Sequence, residues 1–370
     1  MTTLRNSSIE LLRIVCMLFI VFHHYMVHMA FPEYNISAWG LGDGALSVAM
    51  LLNGFFCVAV NCFVLISGYY GIHFKLRGLF KLYITCAFYG LIGYFVHLYV
   101  DGAHIGRSIL DDSLFAFSNS KWWFINCYIQ LFVMAPFLNV AIEHLEKKKY
   151  LYVLLLFSFL NVYLGYIGMG KYFNQYGYST AQMVYLYLIG AYLKKYVPMN
   201  WFQRKSSTCF VVYLVFSILI GCQEIVNHFC VHGYHDAFSY NNPLVLVSSV
   251  ALFSYFLSHS YYCKSINWIS SGVLAAYLIP EQYRIGFSWL YPNLNDLFVH
   301  CLSRFAVESV SIQVFVVFVS LMLISIVTVA CCVGIDYVRA WMSKPLWKLY
   351  EMTEKKLKPL LYEYSYYFRY

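Results

Sequence analysis

The stretch ELLRIVCMLFIVFHH, residues 10–24, sets a charged pair and two histidines into an otherwise apolar run. A charge at bilayer depth costs a few kcal/mol at least, so ionisable groups in such a run are functional candidates by default. At about 100° per residue, the eleven residues from Arg13 to His24 bring a helix back to within roughly 20° of the same face. Glu10, Arg13, Met17, Ile20 and His24 therefore share one narrow stripe. Glu10 and Arg13, at i,i+3, can pair. His24 lies about 16 Å further along the axis. Histidine takes up a proton or carries a transferred group near neutral pH, and a guanidinium suits an anionic substrate. The bland alternative is that Glu10 and Arg13 snorkel to the headgroups while His24 sits at an interface. His23 points about 80° away and reads as a packing or lipid-interface residue. His28, one turn beyond His24, reads as a helper or as merely exposed.

One other cluster has ligand-type side chains. HFCVHGYHD, residues 228–236, sets His228 and His232 at i,i+4 with His235 and Asp236 nearby. These are zinc-ligand types, and equally the make-up of a solvated polar loop; no metal is expected. Twelve cysteines show no CxxC spacing, and Cys16, Cys57, Cys62, Cys331 and Cys332 lie in apolar runs as small core residues. Cys222 and Cys230 are candidates for pairing in an oxidising compartment.

The elements that must hold these residues follow from composition. The chain is 61% hydrophobic, 20% aromatic and 11% charged, with mean hydropathy +0.62. Soluble domains carry about 25% charged residues. This is an all-α polytopic membrane protein, since apolar runs of roughly 20 residues suit helices rather than a barrel. Ten spans are expected: 9–30, 46–70, 79–99, 122–142, 150–169, 180–197, 207–226, 243–262, 267–290 and 309–333. Pro280, Glu281 and Arg284 interrupt the ninth. The first run lacks a small-residue cleavage site, so it is read as retained.

Lys and Arg fix the orientation, because cytoplasmic loops collect them. With the N-terminus inside, 19 of the 25 fall on the cytoplasmic side and 5 on the other, with Arg13 within a span. Both termini are expected to be cytoplasmic. The net charge of +8 is thus topological, with some attraction to anionic lipid, and does not point to nucleic acid. Residues 1–338 form the membrane domain. The tail 339–370 mixes Lys and Glu with Trp341, Trp347 and many tyrosines, as an interfacial amphipathic segment does.

The acidic–x–x–Arg pattern followed eleven residues later by His resembles the first helix of the acyltransferase-3 family of membrane O-acyltransferases. FVLISGYY (63–70) resembles that family's F-F-V-L-S-G-F/Y, and KWWFINCYIQLFVMAPFLN (121–139) its W-F-x-x-x-Y … P-F-L-N helix. YLYLIGAYLKKY (185–196) resembles Y-L-I-G-x-Y, and AAYLIPEQ (275–282) resembles Y-L-I-H-E-N. The chain departs from the pattern in three places. Pro280 stands where relatives often have His, Glu10 replaces the commoner Asp, and the basic residues after the second helix are matched only loosely by Lys75, Arg77 and Lys81.

The resemblance implies transfer of an acyl group, usually acetyl, from cytoplasmic acyl-CoA to a hydroxyl of a cell-surface glycan or its lipid-linked precursor. It also implies a multi-pass protein of the bacterial cytoplasmic membrane, and oligomers are open. On that reading His24 is the base or transient acyl carrier, and Arg13, oriented by Glu10, binds the donor. Lys75, Arg77 and Lys81 make a basic mouth for anionic CoA. Ser67 and Gly68 line the donor channel or permit close helix packing. Trp123 and Tyr128 hold the acceptor or belong to an aromatic belt. Glu281, on a proline-broken span whose irregular backbone should line a cavity, is a second-site carboxylate for substrate.

A transporter or flippase for a lipid-linked glycan would also use ten spans, a buried Glu–Arg pair and a broken helix. Against it, no matched pair of interrupted helices occurs in two halves of the chain. A glycan polymerase would want a large outer loop, and the loops are short.

Overall fold

The structure, a computed structural model, describes residues 5–30, 41–101, 115, 117, 122–168, 174–231, 236–282, 285–304 and 309–365, and these contain no strand. Helix α1 (Ser7–Tyr25) continues into a π-helical turn, Met26–Ala30. Then come α2 (Gly42–Phe56), α3 (Ala59–Tyr70), α4 (Leu76–Asp101), α5 (Trp123–His144), α6 (Lys147–Ser158), α7 (Thr180–Tyr196), α8 (Met199–Arg204) and α9 (Ser206–Val226). The last elements are α10 (Pro243–Leu257), α11 (Lys264–Ser270), α12 (Ala275–Leu278), α13 (Tyr291–Arg304), α14 (Val310–Met342) and α15 (Lys344–Ser365).

Among the described residues, seven helical stretches are long and apolar enough to cross a membrane. Three of the ten expected spans are shorter pieces. The 180–197 segment is α7, whose 17 residues rise about 25 Å, short of a hydrocarbon core of roughly 30 Å. It is sheltered by α3, α5 and α6, with Tyr187 and Leu186 buried. The 243–262 segment shortens to the 15 residues of α10. The 267–290 segment breaks into α11, α12 and a π turn at Gly286–Leu290. Elsewhere apolar side chains such as Phe137, Leu155, Leu156, Phe315 and Val327 lie exposed, as a lipid-facing surface requires.

Helix α1 occupies the centre, packed on α3, α10, α11, α12 and α14. Its buried face repeats at helical spacing through Leu12, Cys16, Val21, Phe22 and Tyr25. Its first turn is pinned. Asn6 caps the Ser8 N–H at 3.1 Å, and the Ser8 hydroxyl donates to the Phe256 carbonyl at 2.7 Å. The Ser7 hydroxyl donates to Asn267 Oδ1 at 2.9 Å. These contacts set the axial position of α1, and with it that of His24.

Gly68 settles one open point. A Cβ there would lie 2.2 Å from the Tyr187 carbonyl oxygen, so Gly68 is what lets α3 and α7 touch. Helix α14 runs unbroken to Met342 and holds a buried bidentate pair, Arg339 to Asp336 at 2.7 and 3.1 Å. Tyr89 on α4 donates to the same Asp336 at 2.8 Å, tying α4 to α14. The tail then folds as α15 against the start of α4, with Tyr350 stacked on Phe80 at 4.5 Å.

Candidate active site

The last turn of α1 aims His24 at Glu281. Its Nδ1 stands 3.0 Å from Glu281 Oε1, an ion-pair distance but out of line for a hydrogen bond. Tyr291 donates its hydroxyl to the same oxygen at 3.0 Å, and His28 Nε2 is 3.7 Å from it. The π turn after Tyr25 widens the helix where His28 joins the carboxylate; such turns recur at functional sites. Glu281 reaches this point because the chain breaks after α12. Pro280 follows the helix end, and the backbone doubles back so closely that a Cβ on Gly286 would meet the Pro280 carbonyl oxygen at 1.7 Å. The ring of His24 lines a cavity.

That cavity is about 690 Å³. Met17, Ile20, His23 and His24 of the α1 stripe and its flank form one wall, Val60 and Phe63 of α3 another. Trp123 and Phe124 enter from α5, Glu224 from α9, and Val273, Leu274 and Tyr277 from the broken segment. Tyr178, Asp236 and Tyr240 close it from two loops. Trp123 stacks on Tyr240 at 5.6 Å between ring centres and meets Tyr178 edge-on at 4.5 Å.

The loop carrying Tyr240 is fixed by neutral amides. The Tyr240 carbonyl accepts from Asn61 Nδ2 at 3.0 Å and Gln182 Nε2 at 2.7 Å, and its N–H donates to the Tyr176 carbonyl at 3.0 Å. Asn241 Nδ2 donates to the carbonyls of Asn161 and Asn174 at 3.1 and 2.9 Å. Asp236 accepts from the Phe238 N–H at 2.9 Å. Burial raises the Asp236 carboxyl above its ordinary range, and the Phe238 N–H draws it part of the way back.

At the N-terminal end of α1, Glu10 is buried and its charge is met from several sides. Arg5 Nε lies 3.1 Å from Oε1 and Arg13 Nη1 3.4 Å from the same oxygen, while Ser270 donates to Oε2. The family model for the acyltransferase domain matches residues 6–337, nearly all of the chain. The chain belongs to the acyltransferase-3 family. No curated protein and no solved structure matches it.

This multi-pass membrane acyltransferase brings some of the expected residues together and keeps others apart. His24 and Trp123 line one cavity, and Glu281 touches His24. Glu281, read from sequence as a substrate carboxylate, is thus the neighbour of the histidine itself. Arg13 sits below the cavity, paired with Glu10. Ser67 donates to the Phe63 carbonyl at 3.0 Å and lies 3.5 Å from the Tyr128 hydroxyl, so the donor and acceptor candidates of the sequence reading are neighbours outside the cavity lining. Lys75 and Arg77 line a second cavity, of about 710 Å³, against α15, where Arg77 pairs with Glu351 at 3.0 Å; Lys81 is exposed one turn on.

Of the two sequence readings of His23, packing or lipid interface, the structure fits packing. It turns inward, its Nδ1 2.7 Å from Asn53 Oδ1, and lines the acyltransferase's cavity beside His24. The central position of α1 explains this, since both sides of the stripe meet protein. His232 and His235 of the histidine-rich loop lie outside the described residues, and Cys222 and Cys230 are free thiols. Sequence reasoning did not find Asn53, Tyr178, Glu224, Tyr240, Tyr277 or Tyr291. Glu224, near the end of an apolar run, carried the same signal as Glu10 and was the one findable by the intramembrane-charge rule.

Proposed function

We propose that this acyltransferase moves an acyl group, acetyl being the simplest, from cytoplasmic acyl-CoA to a hydroxyl of a cell-surface glycan or its lipid-linked precursor in a bacterial cytoplasmic membrane. The observation that carries the reading is His24, which lines the cavity while its Nδ1 stands 3.0 Å from the Glu281 carboxylate. In the proposed step Nε2 takes the proton of the acceptor hydroxyl as its oxygen attacks the thioester carbonyl carbon. The carbon–sulfur bond breaks, the ester forms, and the imidazolium returns the proton to the departing CoA thiolate. Glu281 holds the ring and balances the charge that appears on it, the role a buried carboxylate plays beside a catalytic histidine elsewhere. A transient acyl-His24 would use the same nitrogen.

The donor's phosphates would stay near Arg13, Lys75, Arg77 and Lys81, where guanidinium groups match phosphate geometry. Its thioester arm would follow Met17 and Ile20, which line the cavity between Arg13 and His24. The topology that supports this has both termini in the cytoplasm, so a reporter fused after Tyr370 should be active only inside; an outside signal would invert every side assignment. The central test is transfer of labelled acetyl from acetyl-CoA to glycan by the purified protein in lipid nanodiscs. Label left entirely on CoA, with His24→Ala indistinguishable from wild type, would sink the proposal.

A further inference from the structure

We infer that the end of the cavity formed by Trp123, Tyr178, Tyr240, Glu224 and Asp236 is an acceptor subsite for a hexopyranose ring that carries no negative charge, neutral or amino-substituted. The inference rests on the acyl-transfer reading and names the class of sugar it uses.

Three observations meet there. The first is shape: three aromatic rings from three separate segments pack within 4.5 to 5.6 Å of one another on one cavity wall. An aromatic surface of this size matches the apolar C–H face of a sugar ring and holds its orientation without hydrogen bonds.

The second is preorganisation. Tyr240 sits on a backbone fixed by Asn61, Gln182 and Tyr176, and the next residue, Asn241, is anchored twice more. Four N–H donations from buried side-chain amides hold this backbone in one conformation, which is what a recognition surface needs and a passing loop does not.

The third is charge. Glu224 and Asp236 both line the cavity. Glu224 Oε2 accepts the Ala237 N–H at 3.1 Å and Asp236 Oδ1 accepts the Phe238 N–H at 2.9 Å, so each carboxylate retains acceptor capacity for a ligand. Hydroxyl and ammonium donors satisfy them, whereas a carboxylate-bearing sugar would bring like charge into a part-desolvated pocket. An ammonium would gain further from the Trp123 face.

The test measures sugar binding apart from transfer. Full-length protein in nanodiscs is titrated with methyl β-glucoside, methyl β-glucosaminide and methyl β-glucuronide by saturation-transfer NMR. The first two should bind, with the glucuronide about tenfold weaker. Asp236→Asn should bring the glucuronide to within about threefold of the glucoside, a change of selectivity that a purely structural role would not produce. Its melting temperature at pH 7 should equal or exceed wild type. The fold disfavours the ionised Asp236 carboxylate, so the neutral isostere removes that penalty, and the advantage should fade at acid pH as Asp236 itself is neutralised. Tyr178→Ala, at a half-exposed ring, should weaken all three sugars about tenfold. Equal binding of the glucuronide, no sugar binding at all, or affinities untouched by both variants would overturn the inference. CoA release from acetyl-CoA, measured in the same samples, separates the two readings. Its absence would remove the acyl-transfer reading, while the sugar titration decides the subsite alone.

Discussion

At the N-terminal end of α1, both oxygens of Glu10 are engaged, by two arginines and the Ser270 hydroxyl, whereas at the other end His24 lines a cavity with Glu281 beside its Nδ1. The two ends share a helix and a stripe but use charge differently. Around Glu10 the charges are permanent and mutually compensated, which suits holding a polyanion in place. Around Glu281 the partners are two histidines and a tyrosine hydroxyl, none of them a permanent cation. Separate binding and chemical ends also fit a substrate that arrives from one side of a membrane and reacts toward the other. The contrast is testable, because lesions at the His24 end should fall on turnover and lesions at the Glu10 end on donor affinity.

The largest effect is expected at His24. His24→Ala should cut turnover by about 10²–10⁴-fold if the residue is a general base, and by more if it carries the acyl group. The KM for acyl-CoA should hardly move, and the protein should still insert in the membrane. His23→Ala should do much less to turnover, although leaving Asn53 without its buried partner costs on the order of 1–3 kcal/mol of stability. Wild-type turnover in His24→Ala would erase the contrast between the ends and favour the transporter reading.

Glu281→Gln comes next. The imidazole stays in place and loses only its counter-charge, so turnover should drop about tenfold to a hundredfold, each tenfold being about 1.4 kcal/mol in the barrier. Steady-state turnover of Glu281→Gln against Tyr291→Phe separates charge from positioning, since Tyr291→Phe removes one hydrogen bond but keeps the carboxylate. Equal losses in both would make Glu281 a structural anchor.

These two predictions differ in how far the sequence could lead to them. The α1 stripe was legible because all its members lie on one helix, where a fixed angle per residue decides which side chains share a face. The His24–Glu281 contact joins residues far apart in the chain, and no spacing rule reports such a meeting; the broken helix at Pro280 only marked the region as cavity-lining. The aromatic wall was less legible still. Trp123, Tyr178 and Tyr240 lie on three segments in a chain with 36 tyrosines and 31 phenylalanines, so residue type alone could not single them out. Asp236 was read within a histidine-rich loop, and only the folded loop turns it toward the sugar-sized space. The shortness of α7 and α10 was not legible either, because hydropathy reports apolarity, not whether neighbouring protein or lipid satisfies it.

Arg13 tests the other end. Arg13→Ala should raise the KM for acyl-CoA about tenfold with turnover little changed. Lost charge-assisted hydrogen bonds cost roughly 1.5–3 kcal/mol, and the partial exposure of Arg13 argues for the lower part of that range. Lysine should rescue only in part, lacking the planar fork. An unchanged KM with a large fall in turnover would move Arg13 to the chemical end.

The smallest effect discriminates between two roles for Arg77. Its guanidinium lies 3.0 Å from Glu351 on α15 and over the Trp347 ring at 5.6 Å, with both charged partners largely exposed. An exposed pair of this kind is worth roughly 0.2–1 kcal/mol, about fivefold at most in any equilibrium it controls. If Arg77 only latches α15 to α4, then Arg77→Ala and Glu351→Ala break the same contact and should shift the KM for acyl-CoA alike. If Arg77 belongs to the donor mouth, Glu351 competes with phosphate for it. Glu351→Ala should then lower the KM about twofold while Arg77→Ala raises it by a similar factor. Opposite signs extend the donor end from Arg13 across to the start of α4. The same sign in both variants confines it to α1 and leaves α15 as packing.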